Sequence, residues 1–234
     1  MTLKSLKPTK TILLLALTGL LAGCASQGSS DNAIGRKFSW FSYMEGGDIR
    51  AACAPGAAAR YRLVYNAVYG EQVRTYDLDA NGGLDVRVIE PVNLKHISIH
   101  SLADVLSPWR GKTASTTLSV NAVEKIEAAL LNDGVFGPPA IGTELSSKGF
   151  FWTIAACRQG RYSFTALAWP SPAWDAMSFD QVLFGFDPVA VRVNPPRKTA
   201  LGRNLVGGEY DKNKIEFHTK VGENGLYGTL SLGQ

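Results

Sequence analysis

The segment from Arg60 to Ile89, three turn-bounded stretches of which the first alternates with a period of two, constrains this fold more than any other feature of the chain. In the first, Tyr61, Leu63, Tyr65, Ala67 and Tyr69 alternate with Arg62, Val64, Asn66 and Val68. A helix would spread those residues around its axis, whereas a strand puts each set on one side. The β-branched and aromatic side chains strengthen the strand reading. Gly70-Glu71 turns the chain into residues 72–79, and Asn81-Gly82-Gly83 turns it into residues 84–89 before Pro91. The pattern predicts an antiparallel meander of three strands. With Gly70-Glu71 as a two-residue loop, Tyr65 faces Tyr76 and Arg62 faces Asp79; a one-residue shift in the loop changes both pairs.

Further elements follow. Residues 95–100 read as a strand, and Ser101 with Asp104 has capping-box spacing for a short helix that Pro108 stops. Residues 113–120 are β-prone. Residues 121–132 form the best helix, with Asn121 as cap, Glu124 at the reciprocal position and Gly134 as the stop. Residues 150–157 and 162–169 flank Arg158-Gln159-Gly160-Arg161 as an apolar hairpin. A short helix is expected within 175–184 and a strand over 189–193. The tail alternates around 215–218 and 226–232, with a turn at 222–225. Phe38, Trp40, Phe41 and Tyr43 read as a first strand docking into the domain, or as an interfacial aromatic patch. Many strands with two or three helices predict an α+β fold, an antiparallel meander or mixed sheet in a single domain spanning 38–234.

The N-terminus carries a different signal. Lys4, Lys7 and Lys10 precede an apolar run that ends in Leu21-Ala22-Gly23-Cys24. That order is a secretory signal over residues 1–23. The apolar run is shorter than the roughly 20 residues a bilayer-spanning helix needs. Leu21-Ala22-Gly23-Cys24 resembles the lipobox of bacterial lipoproteins. The resemblance implies diacylglyceryl transfer to the Cys24 sulfur, cleavage before Cys24 and acylation of the new amino group. One acyl chain binds a membrane marginally and two bind stably, so the three of this class imply a lasting anchor. Ala25 stands where lipoproteins retained in the inner membrane of Gram-negative bacteria usually carry aspartate. The resemblance therefore implies the outer membrane, with the domain facing the periplasm. Small and polar residues over 25–37 read as a tether.

Charge and cysteine usage fit that compartment. The formal net charge is +4, but three of the lysines belong to the signal, so the mature chain stands near +1. A near-neutral domain gives no argument for nucleic-acid binding by bulk charge, and no nucleic-acid partner is expected. Of the three cysteines, lipid takes Cys24 and leaves Cys53 and Cys157. In an oxidising compartment these two can pair across 104 positions; the other reading is two separate buried thiols.

No complete catalytic set is legible. His96 and His100 fall about 13 Å apart on a strand at 3.3 Å per residue, too far to share one ion, and His218 is isolated from them. No zinc spacing, serine elbow or phosphate loop appears, and no cofactor is expected. Asp77 and Asp79 share a strand face and are the candidate carboxylates for acid–base work. Two constellations can bind. Arg60 and Arg62 lie about 6.6 Å apart on one strand face and suit a phosphate or carboxylate, or are solvated arginines flanking a core. Trp169 and Trp174 bracket Pro170-Ser171-Pro172 and suit a sugar ring or a protein partner, or latch the loop to the core. The sequence points to a lipid-anchored envelope protein with a binding or assembly role, its partner another envelope protein or a cell-wall glycan. The alternative is an envelope hydrolase working through Asp77 and Asp79.

Overall fold

In the computed structural model, residues 40–90, 111–198, 217–223 and 225–227 are described. The expected strand at 95–100, with His96 and His100, and the short helix after Ser101 lie outside them, as do the signal, Cys24 and the tether. The three turn-bounded stretches form β1 (Arg60–Ala67), β2 (Gln72–Asp79) and β3 (Gly83–Ile89). They are joined by β4 (Lys112–Thr117) and by the hairpin of β6 (Phe150–Arg158) and β7 (Arg161–Trp169). Every pairing is antiparallel, in the order β4-β3-β2-β1-β6-β7. A second sheet contains β5 (Glu144–Ser146), β8 (His218–Gly222) and β9 (Gly225–Tyr227), in the order β5-β8-β9. The helices are α1 (Gly47–Ala52), α2 (Val120–Asn132), α3 (Pro172–Ala176) and α4 (Phe179–Phe184), with a helical turn over 41–44. The fold is α+β.

The β1–β2 register differs from the two-residue loop. Tyr65 faces Arg74, Arg62 faces Asp77, and Arg60 faces Asp79. The turn takes four residues because Val68 sits at φ 62° and its carbonyl accepts from Glu71 and Gln72. The register slips by two positions, so every side chain keeps its face.

One face of the large sheet holds the main core. Tyr61, Leu63, Tyr65, Tyr76, Leu78, Leu84, Val86, Trp152 and Ile154 meet Ile126 and Leu130 of α2, Trp174 of α3, and Phe179 and Leu183 of α4. Trp152 stacks on Tyr65 with centroids 4.9 Å apart. The other face is covered too. Met44 and Ile49 are buried, and Thr153 Oγ1 donates to the Met44 carbonyl at 3.1 Å. The Cys53–Cys157 disulfide fixes α1 to β6, with Cα atoms 5.6 Å apart. Phe41 packs against Phe217 at 5.3 Å. The aromatics at 41 and 43 thus dock into the domain from a helical turn instead of the expected strand.

Two local expectations shift. The cap of α2 is Ser119, whose Oγ accepts from Ala122 N at 3.3 Å, not Asn121, which lies inside the helix. Gly134 follows the helix at φ 72°, as a left-handed stop requires. Residues 189–193 form no strand. They run over the core face of the sheet, where side chains of β1 and β2 hold the backbone. Gln72 Nε2 donates to the Arg192 carbonyl at 3.0 Å, and Tyr65 Oη donates to the Asn194 carbonyl at 2.7 Å. Arg74 donates to the Val191 carbonyl.

Candidate binding cavity

The two arginines read from β1 do not face solvent as a pair. Arg62 is buried, with its Nε 2.8 Å from Asp77 Oδ1 and its Nη1 2.6 Å from Asp48 Oδ1. Its guanidinium also lies 3.9 Å above the Tyr43 ring. Arg60 reaches the same Asp48 at 3.3 Å. Burial disfavours the Asp48 anion, but the bond to Arg62 outweighs it, with Arg60 adding to the effect, and the carboxyl is held below its ordinary value. This cluster ties α1 to the sheet and engages all three nitrogens of Arg62, while Arg60, paired through Nη2, stays exposed. The paired carboxylates are likewise engaged. Asp77 accepts from Arg62 and from Tyr43 Oη at 2.8 Å. Asp79 accepts from Asn81 N and Gly83 N in its own turn, at 2.7 and 3.0 Å.

The two tryptophans part company. Trp174 is buried in the core, 6.2 Å from Tyr65. Trp169, at the end of β7, is half-buried and faces Phe150 across the hairpin. The two rings meet edge to face at 5.9 Å. They lie in the wall of a cavity of about 1100 Å³ between this end of the hairpin and the small sheet. Leu145, Pro170 and Tyr227 add apolar surface, and Tyr227 is largely exposed. The rim is cationic: Lys148, Arg197, Lys198 and Lys220 stand against one carboxylate, Glu144.

Each rim group has a structural reason for its place. Lys148 sits in a loop whose flanking carbonyls, Ser147 and Gly149, accept from the buried Asn66 side chain at 3.3 and 2.7 Å. Ser147 also exchanges hydrogen bonds with Phe217 N and O, which draws β8 against the loop. Arg197 pairs with Glu71 and lies 5.5 Å from the Phe150 ring centroid. Lys220 and Glu144 pair at 2.7 Å, which lowers the Glu144 pKa and raises that of Lys220. Trp169 and Tyr227 beside a cationic rim suit a ligand with a flat apolar face and acidic groups. His218 also lies in the wall and is exposed. Among the described residues, no three His, Cys, Asp or Glu side chains cluster closely enough to hold a metal ion, and no helix is long and apolar enough to cross a membrane.

Sequence reasoning singled out Trp169 through its proline-flanked loop. It missed Phe150, Tyr227 and Lys148, because strand pairing and loop anchoring bring them together from distant positions. No protein-family model matches the chain, and no curated protein matches it.

Proposed function

We propose that this chain is a lipid-anchored cell-envelope protein that binds a cell-wall glycan, without a catalytic centre, on the periplasmic side of the outer membrane. The anchor rests on the Leu21-Ala22-Gly23-Cys24 run behind a basic, apolar leader. The observation that carries the binding role is the cavity beside Trp169. Its volume of about 1100 Å³ is ample for a ligand of several rings, and the half-buried Trp169 and exposed Tyr227 line it with aromatic surface. The cationic rim complements the carboxylates of cell-wall glycans and their peptides. The two aspartates of the hydrolase reading serve instead as partners of Arg62 and of a β-turn.

Co-sedimentation of the full-length protein, in mild detergent, with purified cell-wall sacculi tests the reading. The protein should sediment with the sacculi, and Trp169→Ala should weaken that association by about tenfold or more. A protein that stays in the supernatant, or a W169A variant that sediments as well as the parent, would contradict it. Recovery of a stoichiometric envelope protein instead would assign the cavity to protein assembly.

A further inference from the structure

A second cavity, of about 410 Å³, opens at the opposite end of the β6–β7 hairpin. Its wall carries Arg50 from α1, Arg158 and Arg161 from the two sides of the hairpin turn, and Glu223 from the β8–β9 turn. Three guanidiniums thus share the wall with one carboxylate, Glu223, and Arg50 is also paired with Glu45 behind it. Arg158 and Arg161 are directly cross-strand partners, and neither forms a salt bridge with a described residue. Like charges directly opposite one another destabilise a hairpin. An anion held between them reverses the sign of that contact.

The guanidiniums are also oriented. Arg158 lies 5.5 Å from the Phe136 ring centroid, and Arg50 lies 5.5 Å from that of Tyr162. A guanidinium held over an aromatic ring directs its N–H donors past the ring edge; Arg158 shares one with the Tyr61 hydroxyl and Arg50 shares one with Glu45. Glu45 fixes Arg50 from the side, bonding its Nη2 at 3.2 Å and Leu226 N at 2.9 Å. Gln159 and Ser163 add neutral polar groups to the wall.

Arg50 is far from the other two in sequence, and the disulfide brings them together. Arg50 lies three residues before Cys53, and Arg158 lies one residue after Cys157. The hairpin turn also presses on the segment after Cys53: a Cβ on Gly160 would come within 2.7 Å of the Ala54 carbonyl and of Pro55. We propose that Arg50, Arg158 and Arg161 form an anion site for a compact, sugar-sized ligand bearing a phosphate or a carboxylate, and that the Cys53–Cys157 disulfide assembles it. The site lies apart from the Trp169 cavity and does not depend on the glycan reading. Its volume falls in the range of small-molecule sites, about 300–1,000 Å³.

Calorimetric titration of the full-length, oxidised protein in detergent tests this, with glucose 6-phosphate, glucuronate and uncharged glucose as probes. At least one acidic probe should bind saturably at one site, and glucose should not. Arg158→Gln and Arg161→Gln should each weaken binding about tenfold or more, while Lys148→Gln in the other cavity should not. Arg50→Gln, which leaves the disulfide intact, should weaken it as well, and so should reduction under conditions where circular dichroism shows a retained fold. No saturation with either acidic probe at roughly 10 mM, about 3 kcal/mol of binding free energy, would overturn the site. So would equal binding of glucose, or undiminished binding by R158Q and R161Q. Undiminished binding by R50Q would overturn the part assigned to the disulfide.

Discussion

Arg74 has no exposed surface and Asp187 almost none, yet the pair organises a segment without regular structure. Arg74 bonds Asp187, the Val191 carbonyl and, at 3.1 Å, Gln72 Oε1. Tyr76 Oη donates to the same Asp187 carboxylate at 2.8 Å. Taking away one partner of a buried pair leaves an uncompensated charge, which costs about 3–5 kcal/mol. Asp187→Ala should therefore lower stability by that amount in urea unfolding; a loss below about 1 kcal/mol would contradict the clamp. The buried tyrosines make a second residue-scale prediction. Burial, aided by Asp77, pushes the Tyr43 hydroxyl up to about 12, and burial also pushes Tyr162 up to about 12. Tyr61, Tyr65 and Tyr76 are raised further, first by burial and then by Glu127, Asp180 and Asp187 respectively. Below about pH 10 these hydroxyls are neutral in both states, so their contribution to stability is fully present. Above it the unfolded chain ionises first, and stability is lost as pH rises towards the folded values. Absorbance titration should show these five ionising together with the loss of circular dichroism. A gradual rise centred near pH 10 with the fold intact would contradict their burial.

At the scale of elements, short helices depend on contacts beyond their own sequence. The helix α4 is only six residues long and has no cap from its own Ser178 side chain. Asp133, which ends α2, supplies one: its Oδ2 accepts from Ser178 N and Phe179 N, each at 2.7 Å. Hydrogen bonds to a charged group contribute about 1.5–3 kcal/mol, so Asp133→Ala should destabilise by roughly that much in urea. It should also weaken amide-exchange protection in α4 before β1; uniform protection loss would argue against a local cap. Such through-space caps leave no mark in sequence. The strands were more legible. β1 carries alternation, β6 and β7 are apolar runs, turn residues separate these strands and β2 and β3, and each is found close to its expected span. Spacing fails where the partner is unseen. Val189, Val191 and Val193 alternate like a strand, but their backbone is held by the side chains of Gln72 and Arg74. The aromatics at 41 and 43 alternate too, yet the chain there is helical, because one face of that turn docks onto Arg62 and Phe217. The Ser119 cap escaped because Asn121, with Glu124 three residues on, fits the capping-box spacing and Ser119, with Ala122 there, does not.

For the whole molecule, the covering of both sheet faces sets the architecture. Alternation alone suggests an antiparallel sheet with one wet face, but β1 and β6 are buried on both sides, apart from Arg60 and the Arg158 end. The Cys53–Cys157 bond is part of that second cover, and a loop of this size contributes up to about 4–5 kcal/mol in the chain-entropy model. The pairing was legible only because Cys24 belongs to the lipobox-like run, which leaves two cysteines. The cavities were legible in part. Trp169 announced itself beside prolines, whereas the lysines around it and the arginines at the other end of the hairpin are neighbours only through pairing and packing. All of the functional reading depends on where this domain sits. Mass analysis of the N-terminal peptide from membrane-fraction protein is the most direct measurement. It should begin at Cys24 and carry three acyl chains, and Cys24→Ala protein should lose that mass. An unmodified chain that still begins at Met1 would contradict the account.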